Sequence, residues 1–418
     1  MEITYVLLNK ICCLHYSENN DFVGIESFMS QFSDFLAQFN DFLTTFFIIL
    51  LLLVFFYGQN WQGWYAGRQI KKSLKGLNKW KKHGINLIQN IIEPIASEGI
   101  TPREITEFIN KMLDFFVIPP AQLDPPIYEK LRYVMSYREV RLSQLIKNFL
   151  PNIDNSSLAA ISALLNATTE IHNLHKKVRH NLKIGERTKS YLFLLSTASD
   201  LTQMMIKARA YRTALDSFKE KLPIGDSIGP MSVNEFIKEI QKNNRVLDLA
   251  LNLQKRSHGI YSSEITYENR KCICLRPKGP DAIVGNIGDA VENVFLELRE
   301  KNQLPSIVIT VDAMTRLEGE KLGTVAQGLG IVIGGDSTHS IDKYQIETLC
   351  MKETPSIPFE AVVCRESLEE AVSPMSEPIK LAIPKIIRIL KKIIRSQTKP
   401  NEIVLILGIG NAIGVSFE

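Results

Sequence analysis

Residues 42 to 57 read FLTTFFIILLLLVFFY, with no charged side chain among them. A helix needs about 20 mostly apolar residues to cross a bilayer. Leu36, Ala37 and Phe39 lengthen the run, so a span over 39–58 is expected. Its flanks are unequal. Beyond it lie Trp61, Trp64 and Tyr65, suited to an interface, then Arg68, Lys71, Lys72, Lys75, Lys79, Lys81 and Lys82 with no acid between them. Before it a single Lys10 stands against Glu2, Glu18, Asp21, Glu26, Asp34 and Asp41. The positive-inside bias then puts the N-terminus outside the cell membrane and the C-terminal part in the cytoplasm. A cleaved signal peptide would need a basic start and a small-residue cleavage site, and this segment has acids before it and bulky aromatics after it.

Phe28, Phe32, Phe35, Phe39, Phe42 and Phe46 alternate spacings of four and three, which draws one stripe along a helix. The stripe suits either lipid contact or a homo-oligomeric seam. The bilayer is the expected partner. A net charge of only +4 on 418 residues, with its basic excess at the membrane edge, gives no ground for nucleic acid. Cys12 and Cys13 are adjacent, and Cys272, Cys274, Cys350 and Cys364 form no C-x-x-C pair, so neither a zinc knuckle nor a disulfide framework is implied.

Residues 85 to 221 carry helical periodicity. TPREITEFINKMLDFF opens with Thr101 as cap, Pro102 at the first helical position and Glu104 in the first turn; IPPAQLDPP then forbids helix. His172, His175 and His180 sit three and five apart among lysines and arginines, a poor metal spacing. Lys176, His180, Lys183 and Arg187 share one face, open to solvent or to an anion such as a lipid phosphate.

From Pro223 glycines multiply and short β-branched runs appear at 271–275, 306–313, 359–364 and 402–410, with amphipathic helices such as GDAVENVFLELREKN and IPKIIRILKKIIR between them. That alternation predicts an α/β domain with a mostly parallel sheet and helices on both faces. The expected organisation is an extracytoplasmic segment 1–38, the span 39–58, a basic juxtamembrane segment 59–84, an all-α helical domain 85–221 and the α/β domain 222–418.

Ligands in such sheets gather at the carboxyl ends of strands. Three glycine turns fall there: IGDSIGP, with Gly225, Asp226 and Gly229; RPKGPDAIVGNIGDAVENV, with Gly279, Gly285 and Gly288; and LILGIGNAIGVSFE, with Gly408, Gly410, Asn411 and Gly414. The last spaces its glycines G-x-G-x-x-x-G, one too long for the dinucleotide fingerprint, so NAD is not expected; no G-x-x-x-x-G-K-[ST] occurs, which excludes a P-loop. Asp312 ends the strand SIVITV and is followed by Glu318 and Glu320. Its carboxylate either serves a metal, a ribose or acid/base chemistry, or it caps the next segment.

The segments FFVIPPAQLDPP, KKVRHNLKIGERTKSY, ALDSFKEKLPIGDSIGP, VDAMTRLEGEKLGTVAQGLGIVIGG and LGIGNAIGV together resemble an archaeal family of membrane proteins classed as a domain of unknown function. The likeness runs from about residue 42 to the end and implies no activity. GDSIGP followed by a strand ending VDA is also similar, in part, to phosphorylase/hydrolase-like peptidases that mature hydrogenases or act in spore germination. That likeness implies Asp226 and Asp312 as carboxylates of a divalent-metal or peptidase site, with Gly410 and Asn411 beside them. GIGN comes last here rather than first, and His339 is the one candidate for the third, histidine position. The expected function is binding of a small anionic ligand or a metal by the cytoplasmic domain, as a regulatory or assembly module. The alternative is a metal-assisted hydrolase or peptidase using Asp226 and Asp312.

Overall fold

The structure, a computed structural model, describes residues 22–97, 99–116, 127–243, 254–257, 259–334 and 337–416. The acids and Lys10 ahead of residue 22, Cys12, Cys13 and the proline-rich stretch 118–126 lie outside the described residues, as do the side chains of Phe28 and His339.

One helix, α1 (Phe22–Ile92), runs through segments that composition alone sets apart. At about 1.5 Å per residue it is roughly 105 Å long. Ser30–Leu53 is apolar and long enough to cross a membrane, and none of it is buried by the rest of the chain. Phe35, Phe39, Phe42 and Phe46 are exposed there, with Phe35 stacked on Phe39 at 6.3 Å and Phe42 on Phe46 at 6.5 Å. Past Trp61 the helix changes partner. Ala66, Ile70, Leu77, Ile88 and Ile92 are buried, while Arg68, Lys71, Lys72, Lys75, Lys79 and Lys82 between them stay exposed. The basic stretch is therefore the wet face of a core helix as well as the flank of an apolar segment long enough to cross a membrane.

That core is shared with α2 (Pro102–Leu113), α3 (Ile127–Phe149), α4 (Asn155–Thr188) and α5 (Tyr191–Glu220). Thr101 and Glu104 close a reciprocal capping box at the start of α2, which satisfies amides that the first turn leaves unpaired. Phe108 of α2 stacks on Phe149 of α3 at 4.1 Å. Ile161, Leu164, Ile171 and Val178 of α4, with Leu201, Ala208 and Leu215 of α5, complete the interior. The close approach of α1 to α4 depends on Gly84, where a Cβ would collide with the Thr168 side chain. Among the described residues His172 joins no metal group. Its Nε2 lies 3.1 Å from Asp114 Oδ1, which also accepts from Lys176 Nζ at 2.7 Å. Burial holds the His172 imidazole below its ordinary value.

The second half holds a seven-stranded sheet in the order β1-β2-β3-β7-β4-β6-β5. The strands are β1 (Gln254–Ser257), β2 (Ile260–Tyr267), β3 (Arg270–Pro277), β4 (Pro305–Thr315), β5 (Val325–Leu329), β6 (Phe359–Glu366) and β7 (Ile403–Gly408). The four expected strands are β3, β4, β6 and β7, and they form the parallel centre. β1 and β2 at one edge and β5 at the other run antiparallel, so antiparallel edge strands flank the expected parallel centre. These flanking strands, QKRS, IYSSEITY and VAQGL, are too polar or too short to announce themselves as apolar runs.

Helices cover both faces. α6 (Ile228–Asn243) and α11 (Ile383–Gln397) pack on Ile307, Ile309, Val311, Val404 and Ile406. α7 (Ile287–Glu300) and α8 (Ser337–Lys352) pack on Val308, Leu405 and Leu407. The strict alternation of neighbours such as Val308 and Ile309 is the period of two of a strand buried on both sides. Two short helices, α9 (Leu368–Ala371) and α10 (Glu377–Lys380), follow β6.

Candidate functional site

Where the central strands end, three acidic side chains come together from different parts of the chain. Asp226 arrives on a 3₁₀ turn, Gly225–Ser227, that leads directly into α6. The turn is pinned from several sides. Gly225 N donates to Ser373 O at 3.2 Å, Met375 N to Pro223 O at 2.7 Å, and Ser227 Oγ to Ile413 O at 3.3 Å. Any side chain at Gly225 would strike the Glu366 carboxylate and the Glu370 carbonyl, and one at Gly229 would strike the carbonyls of Ile409 and Val311. The glycines of IGDSIGP are there because α6 begins in backbone contact with the ends of β4 and β7, too close for a Cβ.

The terminal loop meets the same turn. Gly410, at φ +123°, has its missing Cβ aimed at the Asp226 carbonyl, and the next amide, Asn411 N, donates to Asp226 Oδ2 at 2.8 Å. Ile409 N donates to Val311 O at 2.9 Å, which places Asp312, one residue on, at the same edge. Asp312 is 1% exposed. Its Oδ1 accepts from Ala313 N and its Oδ2 from Gly334 N, each at 2.7 Å. It therefore does bind backbone amides, and it also faces the acidic group.

The third acid is Glu366, the last residue of β6, which pairs beside β4. It is 2% exposed, and neither carboxylate oxygen has a hydrogen-bond partner. Burial, reinforced by the charges of Asp226, Asp312 and Glu370, pushes its carboxyl up to about 9, so it carries a proton at neutral pH. Glu370 is anchored elsewhere: it accepts from Ser367 and faces Arg316, which hold its carboxyl below the ordinary value despite partial burial.

Sequence reasoning missed Glu366. The apolar run FEAVVC stops at Cys364, whereas the strand continues through Arg365 and Glu366 to the same edge as Asp312. An acid closing a parallel strand was the signal. The other glycine turn is only partly drawn in. A side chain at Gly279 would collide with the Val415 and Ala412 carbonyls, and Gly414 N donates to Pro280 O at 2.8 Å, so that turn buttresses the terminal loop. Gly285, at φ +70°, sits by Gly259, and Gly288 lies against Asp342 and Gln345 of α8, a helix-packing position. Gly408 meets the Gly229 backbone, and Gly414, at φ +68°, meets Pro223. Glu320 is turned outward, where it accepts from Leu317 N at 2.7 Å and faces Arg365 at 3.8 Å. Among the described residues, no group of three His, Cys, Asp or Glu side chains is arranged to hold a metal ion. The described cysteines are buried and free; burial pushes the Cys272 and Cys364 thiols up to about 12, which makes them inert packing groups.

Fold and site thus define a two-part protein: a helical domain continuous with an exposed apolar helix, and a mixed α/β domain with a carboxylate cluster at its central strand ends. Residues 44–221 match the N-terminal domain, and residues 224–416 the C-terminal domain, of a family described as protein of unknown function, DUF1512. The chain belongs to that family. No curated protein matches it.

Proposed function

We propose that this is a membrane-anchored protein, N-terminus outside, whose cytoplasmic α/β domain binds a small cationic ligand at Asp226, Asp312 and Glu366 and works as a regulatory or assembly module. The observation that carries the reading is Glu366: a buried acid with both oxygens unpartnered, set against two aspartates. A buried polar group without a partner costs stability, and a ligand that gives it one removes that cost. Asp226 and Asp312 reverse the ligand charge that the glycine turns alone suggested, because an anion brought beside two carboxylates would be repelled. Melting of the full chain in detergent against a panel of cations and anions tests this. Cations should raise the melting temperature, and the Asp226→Asn/Asp312→Asn double variant should lose that response. Stabilisation by anions alone, or an unchanged response in the double variant, would reject the reading.

A hydrolase is the second reading, and a specific observation favours keeping it. A proton held by Glu366 up to about pH 9 is available to a leaving group beside two further carboxylates. Cleavage of a peptide panel that disappears in Glu366→Gln would support it; a panel left uncut by the parent would remove it.

A further inference from the structure

The end of the helical domain nearest the apolar segment is the turn between α4 and α5, and two packed glycines of α1 fix its level. Deep in the domain a Cβ at Gly84 would collide with Thr168 of α4. Toward the apolar segment a Cβ at Gly63 would lie 2.9 Å from the Cβ of Tyr191, the first residue of α5. Between these levels Lys71 pairs with Glu186 of α4 at 2.8 Å. α4 therefore runs back along α1, and the turn at Lys189 and Ser190 comes level with Gly63.

That level lies on the apolar side of the first basic residue. The 26 residues between Asp41 and Arg68 hold no charge. At about 1.5 Å per residue they cover roughly 39 Å, against about 30 Å for the hydrocarbon of a bilayer and about 40–45 Å with its headgroups. Gly63 precedes Arg68 by five residues, about 7 Å along the axis. A bilayer around this segment brings its headgroup layer to the α4–α5 turn. Trp61, Trp64 and Tyr65 are exposed beside Gly63, and amphipathic rings are favoured in that layer.

The composition of the turn suits the same layer. Lys183, Arg187 and Lys189 are exposed at the end of α4 and at its cap, as are Arg68, Lys72 and Lys75 on α1. The acids near these levels are Glu186, held by Lys71, and Asp200 on α5. Cations in the last turn of α4 also complement its dipole, but the dipole gives no reason for Leu192, which is 63% exposed one residue past Tyr191. An apolar side chain set among long cationic ones can enter the acyl boundary while they reach the phosphates above it.

We propose that the α4–α5 turn is a second membrane contact, seated in the headgroup layer of anionic lipid, with Lys183, Arg187 and Lys189 on lipid phosphates and Leu192 at the acyl boundary. The inference rests on the membrane-anchored reading. Two contacts fix the tilt of the helical domain against the bilayer, where a single helix would leave it free to pivot.

Bimane attached at Leu192→Cys tests this in the full chain, with Cys12→Ser and Cys13→Ser, reconstituted in nanodiscs of phosphatidylcholine mixed with phosphatidylglycerol. Cys272, Cys274, Cys350 and Cys364 are buried and escape the label. Ile48→Cys, inside the apolar segment, and Lys219→Cys, at the far end of α5, are the references. Quenching by lipid with a nitroxide near the top of its acyl chain should be about three-fold stronger at position 192 than at 219. It should be about two-fold stronger when the nitroxide is on phosphatidylglycerol than on phosphatidylcholine. Lys183→Gln/Arg187→Gln/Lys189→Gln should abolish that preference. The comparison of the two lipids at position 192 decides the matter even where the triple variant fails to fold. Quenching at 48 but not at 192 would overturn the second contact and leave the anchor standing. Equal quenching by the two lipids at 192, or a preference untouched in a folded triple variant, would overturn the contacts with anionic lipid. Absence of lipid quenching at 48 would sink the anchor and the second contact together.

Discussion

Glu366 is the residue at which burial and chemistry meet. Its carboxyl titrates near 9 in the folded chain against an ordinary value of 4.5. Below about pH 4.5 both folded and unfolded chains hold the proton, and the contribution of the neutral buried acid to stability is fully present. Between 4.5 and 9 the unfolded chain has lost that proton while the folded chain keeps it, so this contribution falls as pH rises, with a limiting slope of about 1.4 kcal/mol per pH unit. Glu366→Gln removes the group from the balance. The unfolding free energy of the variant minus that of the parent should therefore grow between pH 5 and 9, measured by denaturant titration at several pH values. Parallel curves would mean that Glu366 is ionised in the native protein. The glycines around it act through space alone: at Gly225 and Gly229 the neighbours include backbone carbonyls, which cannot move aside for a methyl group.

Among the elements, α1 stands apart because its two parts bury their apolar faces differently. From Ala66 onward, small and aliphatic residues at near-heptad spacing lie against α4 and α5, and the helix is held by ordinary core packing. Before that, Phe35, Phe39, Phe42 and Phe46 are exposed. Lipid alone would satisfy an apolar surface, but a stripe of stacked rings repeated at four and three also fits a second copy of the same helix. Replacing Phe32, Phe35 and Phe39 by serine should lower the oligomer size in detergent, read by light scattering, and leave the melting of the α/β domain unchanged. An oligomer of unchanged size would place the contact elsewhere.

The two halves of the molecule meet through a few named contacts. Asp281 accepts from Ser156 Oγ at 2.7 Å and faces Lys221 Nζ at 3.3 Å, which links the start of α4 and the end of α5 to the loop after β3. Gly414 lies against Pro223, at the junction of the two halves and beside the loop that carries Asn411. An apolar helix long enough to cross a bilayer thus continues into a core whose last helix ends next to the carboxylate cluster. With the basic face of α1 on the C-terminal side of the span, reporters fused after Glu418 should be active in the cytoplasm and reporters fused before Met1 outside. Removal of the α/β domain by protease added outside intact cells would reverse that topology.

Much of this was written in local pattern. An uncharged run, a capping box at Thr101 and the β-branched runs of β3, β4, β6 and β7 depend on neighbours within a few residues, and periodicity reports them directly. The polar edge strands were not legible, because what makes IYSSEITY a strand is its pairing with β3. The continuity of α1 was hidden too, since a basic stretch reads as a flank until the residues packed against Ile70 and Leu77 are known. At the site, the strand-end aspartate and the glycine-framed Asp226 could be named from the chain, but not the company they keep. Glu366 joins them only because β6 lies beside β4, and Asn411 only because the terminal loop folds back across 185 positions. The raised titration of Glu366 belongs to that arrangement: a carboxyl is pushed up by lost water and by nearby charge, and both are properties of where the chain puts it in space.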